Sequence, residues 1–155
     1  VSSENNNPPS PTADREVINT RLISAPPSAL FAAFRDPQRL AQWWGPNGFT
    51  NTIEHFDFTP GGQWRYTMHA PDGANYHNES RFDAIAEPEL IDLRHLGPMH
   101  SFQLTMTFTA EAGGTLLKWR MRFDTAEELA PLRKFLADAN DQNIDRLAAH
   151  LSQAK

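Results

Sequence analysis

Alternation governs the middle of this chain, and helical spacing governs its end. Phe102, Leu104, Met106 and Phe108 alternate with Gln103, Thr105, Thr107 and Thr109. After Gly113-Gly114, Leu117, Trp119, Met121 and Phe123 alternate with Lys118, Arg120 and Arg122. One face buried and one face wet is the pattern of antiparallel strands. Trp64, Tyr66 and Met68 repeat it against Arg65, Thr67 and His69. Phe56 and Phe58 lead into the turn Pro60-Gly61-Gly62, and Pro71-Asp72-Gly73 signals a hairpin. Strands are also predicted over 76–85 and over 90–96, the second closed by Gly97-Pro98. Their alternation is broken, so the sequence leaves their inward face open.

A first strand is predicted over 15–23, with Val17, Leu22 and Ile23 as its apolar content. Ser24-Ala25-Pro26-Pro27 then opens a helix, with Ser24 or Ala25 as cap and proline in the first turn. Leu30, Phe31 and Phe34 form its buried face. Asp36 N-caps a second short helix that carries Leu40, Trp43 and Trp44 and stops at Gly45-Pro46. The last element is a long helix, starting at Asp124-Thr125 or, after a turn, near Pro131. Leu132, Leu136, Ala139, Leu147 and Leu151 recur along it at helical spacing.

The order is strand, two short helices, about six antiparallel strands and one long amphipathic helix. Helices segregated to one side of an antiparallel sheet define an α+β fold. A curved sheet wrapped around the C-terminal helix leaves room between the two, with the short helices plugging one end. Residues 1–13, rich in Ser, Asn and Pro, have little to bury and are expected to form a disordered tail. Residues 14–153 are expected to form a single domain.

Composition narrows the partners. The chain has 155 residues and a net charge of −5, with a pI near 5.6. There is no basic stripe, which argues against nucleic acid or an anionic membrane surface. Cysteine is absent, so disulfides and thiolate chemistry are excluded. No apolar run approaches the roughly 18 residues of a membrane span. The first residues carry neither the basic start nor the apolar core of a secretory signal, so a cytoplasmic protein is expected.

Three of the four tryptophans stand in two short motifs, Trp43-Trp44-Gly45-Pro46 and Pro60-Gly61-Gly62-Gln63-Trp64-Arg65. These motifs, with Ala25-Pro26, Asp57, Pro71-Asp72-Gly73, Glu87-Pro88-Glu89-Leu90-Ile91 and the terminal helix after Asp124-Thr125, resemble the family named after the activator of heat shock protein 90 ATPase. That family belongs to the START/Bet v 1-like superfamily, also called SRPBCC. The resemblance covers roughly residues 14–153. It implies a helix-grip fold with an internal cavity for a small, largely hydrophobic molecule, and it does not by itself imply a reaction. Where the chaperone activator carries a separate N-terminal region, this chain has the segment 1–13.

The candidate ligand-binding residues are Trp44, Phe58, Trp64, Tyr66, His95, Trp119 and Asn143. Aromatic side chains at these positions either line a cavity or pack on one another. Asn143 falls in the middle of the apolar stripe of the last helix, at about 100° per residue from Leu132. A buried amide without partners costs about 1–3 kcal/mol. Asn143 must therefore bond to protein, to water or to a ligand. His95 shares a face with Ile91 and Leu93 if that face points inward. His77 and Glu79 are placed to meet His69, and Arg65 to pair with Asp57. Lys118, Arg120 and Arg122 read as the wet side of a strand.

No histidine pattern has metal-ligand spacing, and neither a nucleophile elbow nor a phosphate loop is present. No catalytic residue, metal or cofactor is expected. The leading reading is a binding protein for a lipid-like, aromatic or polyketide-like molecule, acting as a monomer or homodimer. The alternatives are a cyclase- or hydrolase-like enzyme on an aromatic substrate, which needs a titratable group inside the cavity, and an interaction module that regulates a chaperone.

Overall fold

The computed structural model describes residues 12–97 and 99–153. Residues 1–11 of the expected tail lie outside the described residues, as does Pro98 of the expected strand stop. A single 3-10 turn at Ala13–Arg15 leads into β1 (Glu16–Ile23). Two short helices follow, α1 (Pro27–Arg35) and α2 (Pro37–Trp43). Six strands come next: β2 (Thr50–Phe56), β3 (Gln63–His69), β4 (Asn75–Ala86), β5 (Leu90–Gly97), β6 (Phe102–Glu111) and β7 (Gly114–Phe123). The chain ends in a short helix α3 (Ala126–Leu129), a 3-10 turn through Pro131, and the 21-residue helix α4 (Arg133–Gln153).

All seven strands form one antiparallel sheet in the order β1-β7-β6-β5-β4-β3-β2. The sheet is curved around the C-terminal helix, which gives the helix-grip α+β architecture. Strands β2 to β7 follow one another as a meander, as short turns demand. Only β1 is displaced, pairing with β7 so that Asn19 stands opposite Trp119.

Polar contacts seat α4 on β1. Arg21 bonds Asp141 and Asp145 at 2.9 and 2.8 Å, Asn19 donates to the Ala137 carbonyl at 3.1 Å, and Arg133 donates to the Glu16 carbonyl at 2.8 Å. The buried face of α4 is Asn140, Asn143, Ile144, Leu147 and Leu151. The apolar stripe predicted from Leu132 is therefore rotated: Leu132 and Leu136 are half-buried, and Ile144 takes the centre.

Local chemistry explains most boundaries. Asp36 accepts from the Gln38 N–H and caps α2, and Thr125 accepts from the Glu128 N–H and caps α3. The predicted Ser24 or Ala25 cap does not form. Pro26 occupies that position without a side-chain bond, and Pro27 opens the helix. The turn before β3 needs Gly62, because a Cβ there would stand 2.0 Å from the Asp57 carbonyl oxygen. Its neighbours extend the sheet, with Gly61 N–H donating to Phe82 and Phe82 N–H donating to Gly62.

Candidate ligand site

The inner faces of β3, β4 and β7 meet the two short helices in one aromatic cluster. Trp64 and Trp119 are 1% and 2% exposed, and Trp44, at the rim, is 8% exposed. Trp44 lies between the other two. Its ring stacks on Trp119 at 5.4 Å and 27°, and meets Trp64 edge-on at 5.1 Å and 64°. Trp64 stacks in turn on Tyr66 at 4.2 Å and on Phe82 at 6.1 Å. Phe58, beyond the end of β2, packs against Phe82, Phe31 and Phe56. The space between sheet and helix is thus closed by side chains, with the Trp44 ring filling the gap between Trp64 and Trp119.

The polar atoms of this cluster are unevenly satisfied. The Trp43 indole N–H donates to the Ala33 carbonyl at 3.1 Å. The Trp44 indole N–H donates to the Tyr66 hydroxyl at 3.3 Å. The indole nitrogens of Trp64 and Trp119 are buried and have no acceptor among the described residues. Burial pushes the Tyr66 phenol pKa up, and the bond from Trp44 offsets part of that. Ser80 lowers it further, by less than Trp44 does, although its buried hydroxyl makes no hydrogen bond of ordinary geometry among the described residues.

A clasp from α4 holds the segment that bears Trp44. The Asn143 side chain accepts from the Gly45 N–H at 3.1 Å and donates to the Trp43 carbonyl at 3.0 Å. Of the three partners open to it, Asn143 takes protein, and it touches the loop instead of lining a cavity. Arg146 donates to the carbonyls of Gln42, Trp44, Gly45, Pro46 and Phe49, all at 2.9–3.0 Å. Its burial lowers its pKa, and the five carbonyl dipoles supply the compensation that a carboxylate usually gives. Gln142 accepts from the Asn47 N–H, and Asn51 donates to the Trp44 and Ala41 carbonyls. Arg146, Gln142 and Asn51 escaped the sequence reading. The available signal was that Arg146 follows Asn143 by three residues, on the same side of the helix.

His95 does point inward, beside Ile91 and Leu93 on the buried face of β5. Its Nδ1 lies 2.9 Å from the His100 carbonyl and its Nε2 2.9 Å from Asn78 Oδ1. The ring stacks on Phe102 at 4.6 Å. Burial lowers its pKa, with the His100 carbonyl opposing and His100 and Arg94 adding to the shift. His100 itself bonds Glu128 at 2.9 Å.

Other pairings differ from expectation. His77 meets Thr67, whose hydroxyl bonds Glu54, while His69 bonds Thr52 and Asn75. Glu79 bonds Gln63. Asp57 is taken by the Thr59 hydroxyl and not by Arg65. The β3–β4 register sets the histidine contacts, with Thr67 opposite His77 and His69 opposite Asn75, and in β2 a bulge inserts one extra residue after Ile53. On the wet face, Arg120 is half-buried against Glu16, so it is structural as well as solvated. No group of three or more metal-ligating side chains converges among the described residues.

Two surface clefts lie elsewhere. One, of about 480 Å³, is lined by Pro27, Leu90, Thr107 and Phe108. The other, of about 280 Å³, lies between the ends of β1 and α4 at Leu22, Ile23 and Leu151. Neither includes any of the seven predicted site residues.

The sequence pattern of the family described as activator of Hsp90 ATPase homolog 1-like protein matches residues 24–152. The chain belongs to this family. It thereby falls in the SRPBCC, or Bet v 1-like, superfamily. The matched stretch of this Hsp90 ATPase activator homologue-like chain runs from the residue after β1 almost to the end of α4. Among solved structures, a protein from Nitrosomonas europaea matches at a TM-score of 0.84 with 16% identity, over 96% of this chain and 100% of its own. One from Arthrobacter aurescens also gives 0.84, with 20% identity over 93% and 90%. A protein described as AHSA1 from Silicibacter pomeroyi gives 0.74, with 21% identity over 90% and 99%. At these identities the likeness is one of fold. No curated protein matches the sequence. The family and fold suit a ligand-binding scaffold, and no helix of the described residues is long and apolar enough to cross a membrane.

Proposed function

We propose that this protein binds a small hydrophobic molecule carrying a hydrogen-bond acceptor among the aromatic walls between the sheet and α4, in the space that the Trp44 ring fills in this structure. One observation carries the reading: the Trp64 and Trp119 indole N–H groups are buried in the cluster without an acceptor among the described residues. Each such donor costs about 1–3 kcal/mol. The great majority of buried polar groups in native proteins are paired. A ligand oxygen placed among the indoles relieves both costs while its apolar body joins the aromatic walls. Trp44, Phe58, Trp64, Tyr66 and Trp119 supply the walls, and His95 a polar contact at the β5 end. Asn143 acts through the Trp44 loop.

A second reading has one observation in its favour. His95 is a titratable group on the buried face, as an enzyme on this scaffold would require. Both of its ring nitrogens are engaged by protein groups, however, the His100 carbonyl and the Asn78 side-chain amide, which suits positioning better than proton transfer. Native mass spectrometry of freshly purified protein tests the binding reading. A retained organic molecule released on denaturation supports it. A bare protein whose melting temperature stays unmoved by aromatic and acyl probes would refute it.

A further inference from the structure

This inference rests on the ligand reading and extends it to the class of molecule and the way in. We infer that Trp44 is an internal stand-in for the ligand, a plug that a planar fused aromatic molecule bearing a hydroxyl displaces from the slot between Trp64 and Trp119. The Trp44 indole is held as a bound molecule is held. It has an aromatic face on one side at 5.4 Å, an aromatic edge on the other at 5.1 Å, and one hydrogen bond to a buried hydroxyl at 3.3 Å. Both walls of its slot are the two tryptophans whose N–H groups lack an acceptor. An indole, which has no acceptor atom, cannot satisfy them. A hydroxyl on a ring of similar size donates to Tyr66 and offers its two lone pairs to the wall indoles, so it matches the slot better than the residue that fills it.

The local construction lets Trp44 leave alone. Its neighbour Trp43 is 1% exposed and tied to the Ala33 carbonyl within the helix pair, so it stays as an anchor. Gly45 follows Trp44 at φ +96°, a backbone conformation that a side chain would oppose. The rest of the segment is held to α4 by hydrogen bonds: Gln142 and Asn143 accept from the Asn47 and Gly45 N–H groups, and Asn143 and Arg146 donate to main-chain carbonyls. These bonds favour the closed position. By linkage they lower the affinity of any ligand that needs the segment displaced, in proportion to the small fraction that is open.

The test uses 2-naphthol as probe and compares wild type with two weakened clasps, Gln142→Ala and Arg146→Lys. Gln142→Ala removes a single bond at an exposed site and keeps the fold. Calorimetric titration should show tighter binding, about threefold for Gln142→Ala and about tenfold for Arg146→Lys. In parallel, the ¹H–¹⁵N indole signal of Trp44 should move to a solvent-exposed position as the probe binds, while that of Trp43 stays. Probe binding to all three proteins with unchanged or weakened affinity in both variants, or with the Trp44 signal unmoved, overturns the plug and leaves the ligand site standing. Absence of binding to all three proteins overturns the ligand reading itself, and the plug with it.

Discussion

Replacing Asn143 with leucine separates the clasp from a ligand contact. The substitution preserves branching and approximate volume, and it removes both hydrogen-bonding functions of the amide. The Gly45 N–H then loses its acceptor at 3.1 Å and the Trp43 carbonyl loses its donor at 3.0 Å. Both residues are buried, so water does not readily replace what is lost. Each orphaned group costs about 1–3 kcal/mol. The leucine recovers about 1.5 kcal/mol through apolar burial. The net loss centres on about 2.5 kcal/mol, within a range of about 0.5–4.5 kcal/mol, and at that centre it lowers the melting temperature of a chain of this length by roughly 5–10 °C. Thermal unfolding followed by circular dichroism, with urea denaturation to confirm an unchanged m-value, measures it. A melting temperature within about 2 °C of wild type for the leucine variant would refute the clasp, because two buried backbone groups cannot lose their partners at so little cost.

Gly62→Ala should destabilise by about 3 kcal/mol in urea unfolding, at the top of the overpacking range, since its Cβ would stand 2.0 Å from a backbone carbonyl; a change below about 0.5 kcal/mol would show that this turn relaxes freely. His95 has a lowered folded-state pKa because it is buried, and His150 is shifted the same way by burial and Arg39. The unfolded chain therefore binds protons first, so stability is fully present above about pH 6.5 and is lost as pH falls towards the lowered folded values. In urea titrations across that window His95→Gln should flatten the loss more than His150→Gln, and an equal slope in wild type and His95→Gln would contradict it. Phe135, 68% exposed at the start of α4, should accept serine with a change within about 0.5 kcal/mol by thermal melting.

The fold was legible because its signals are local and repeated. Alternation in 102–109 and 117–123 placed β6 and β7, and Asp36 and Thr125 marked helix starts by their own side-chain bonds. Those signals need no knowledge of what lies opposite. The site was legible only in composition. The sequence put Trp44, Trp64, Tyr66 and Trp119 near one another, and it could not say that Trp44 would fill the space between two of them. That arrangement follows from β7 lying four strands from β3 in the sheet, with Trp44, the residue after α2, reaching a tryptophan on each, which is tertiary information. Asn143 stood out because an amide in an apolar stripe is anomalous. Arg146 did not, because an arginine at a helix edge is ordinary until five carbonyls are found converging on it. The outer-face histidines were misplaced for a different reason: the register of the β3–β4 hairpin puts Thr67 opposite His77 and Asn75 opposite His69, and neither strand's own pattern states that pairing.

The Trp64 and Trp119 indole N–H signals in a ¹H–¹⁵N spectrum, recorded with and without saturating 2-naphthol, test the central claim most directly. The account predicts that both signals shift together with the bound fraction, as buried donors that gain an acceptor. Shifts confined to residues around the cleft at Pro27, Leu90 and Phe108, with both indole signals unmoved, would contradict it.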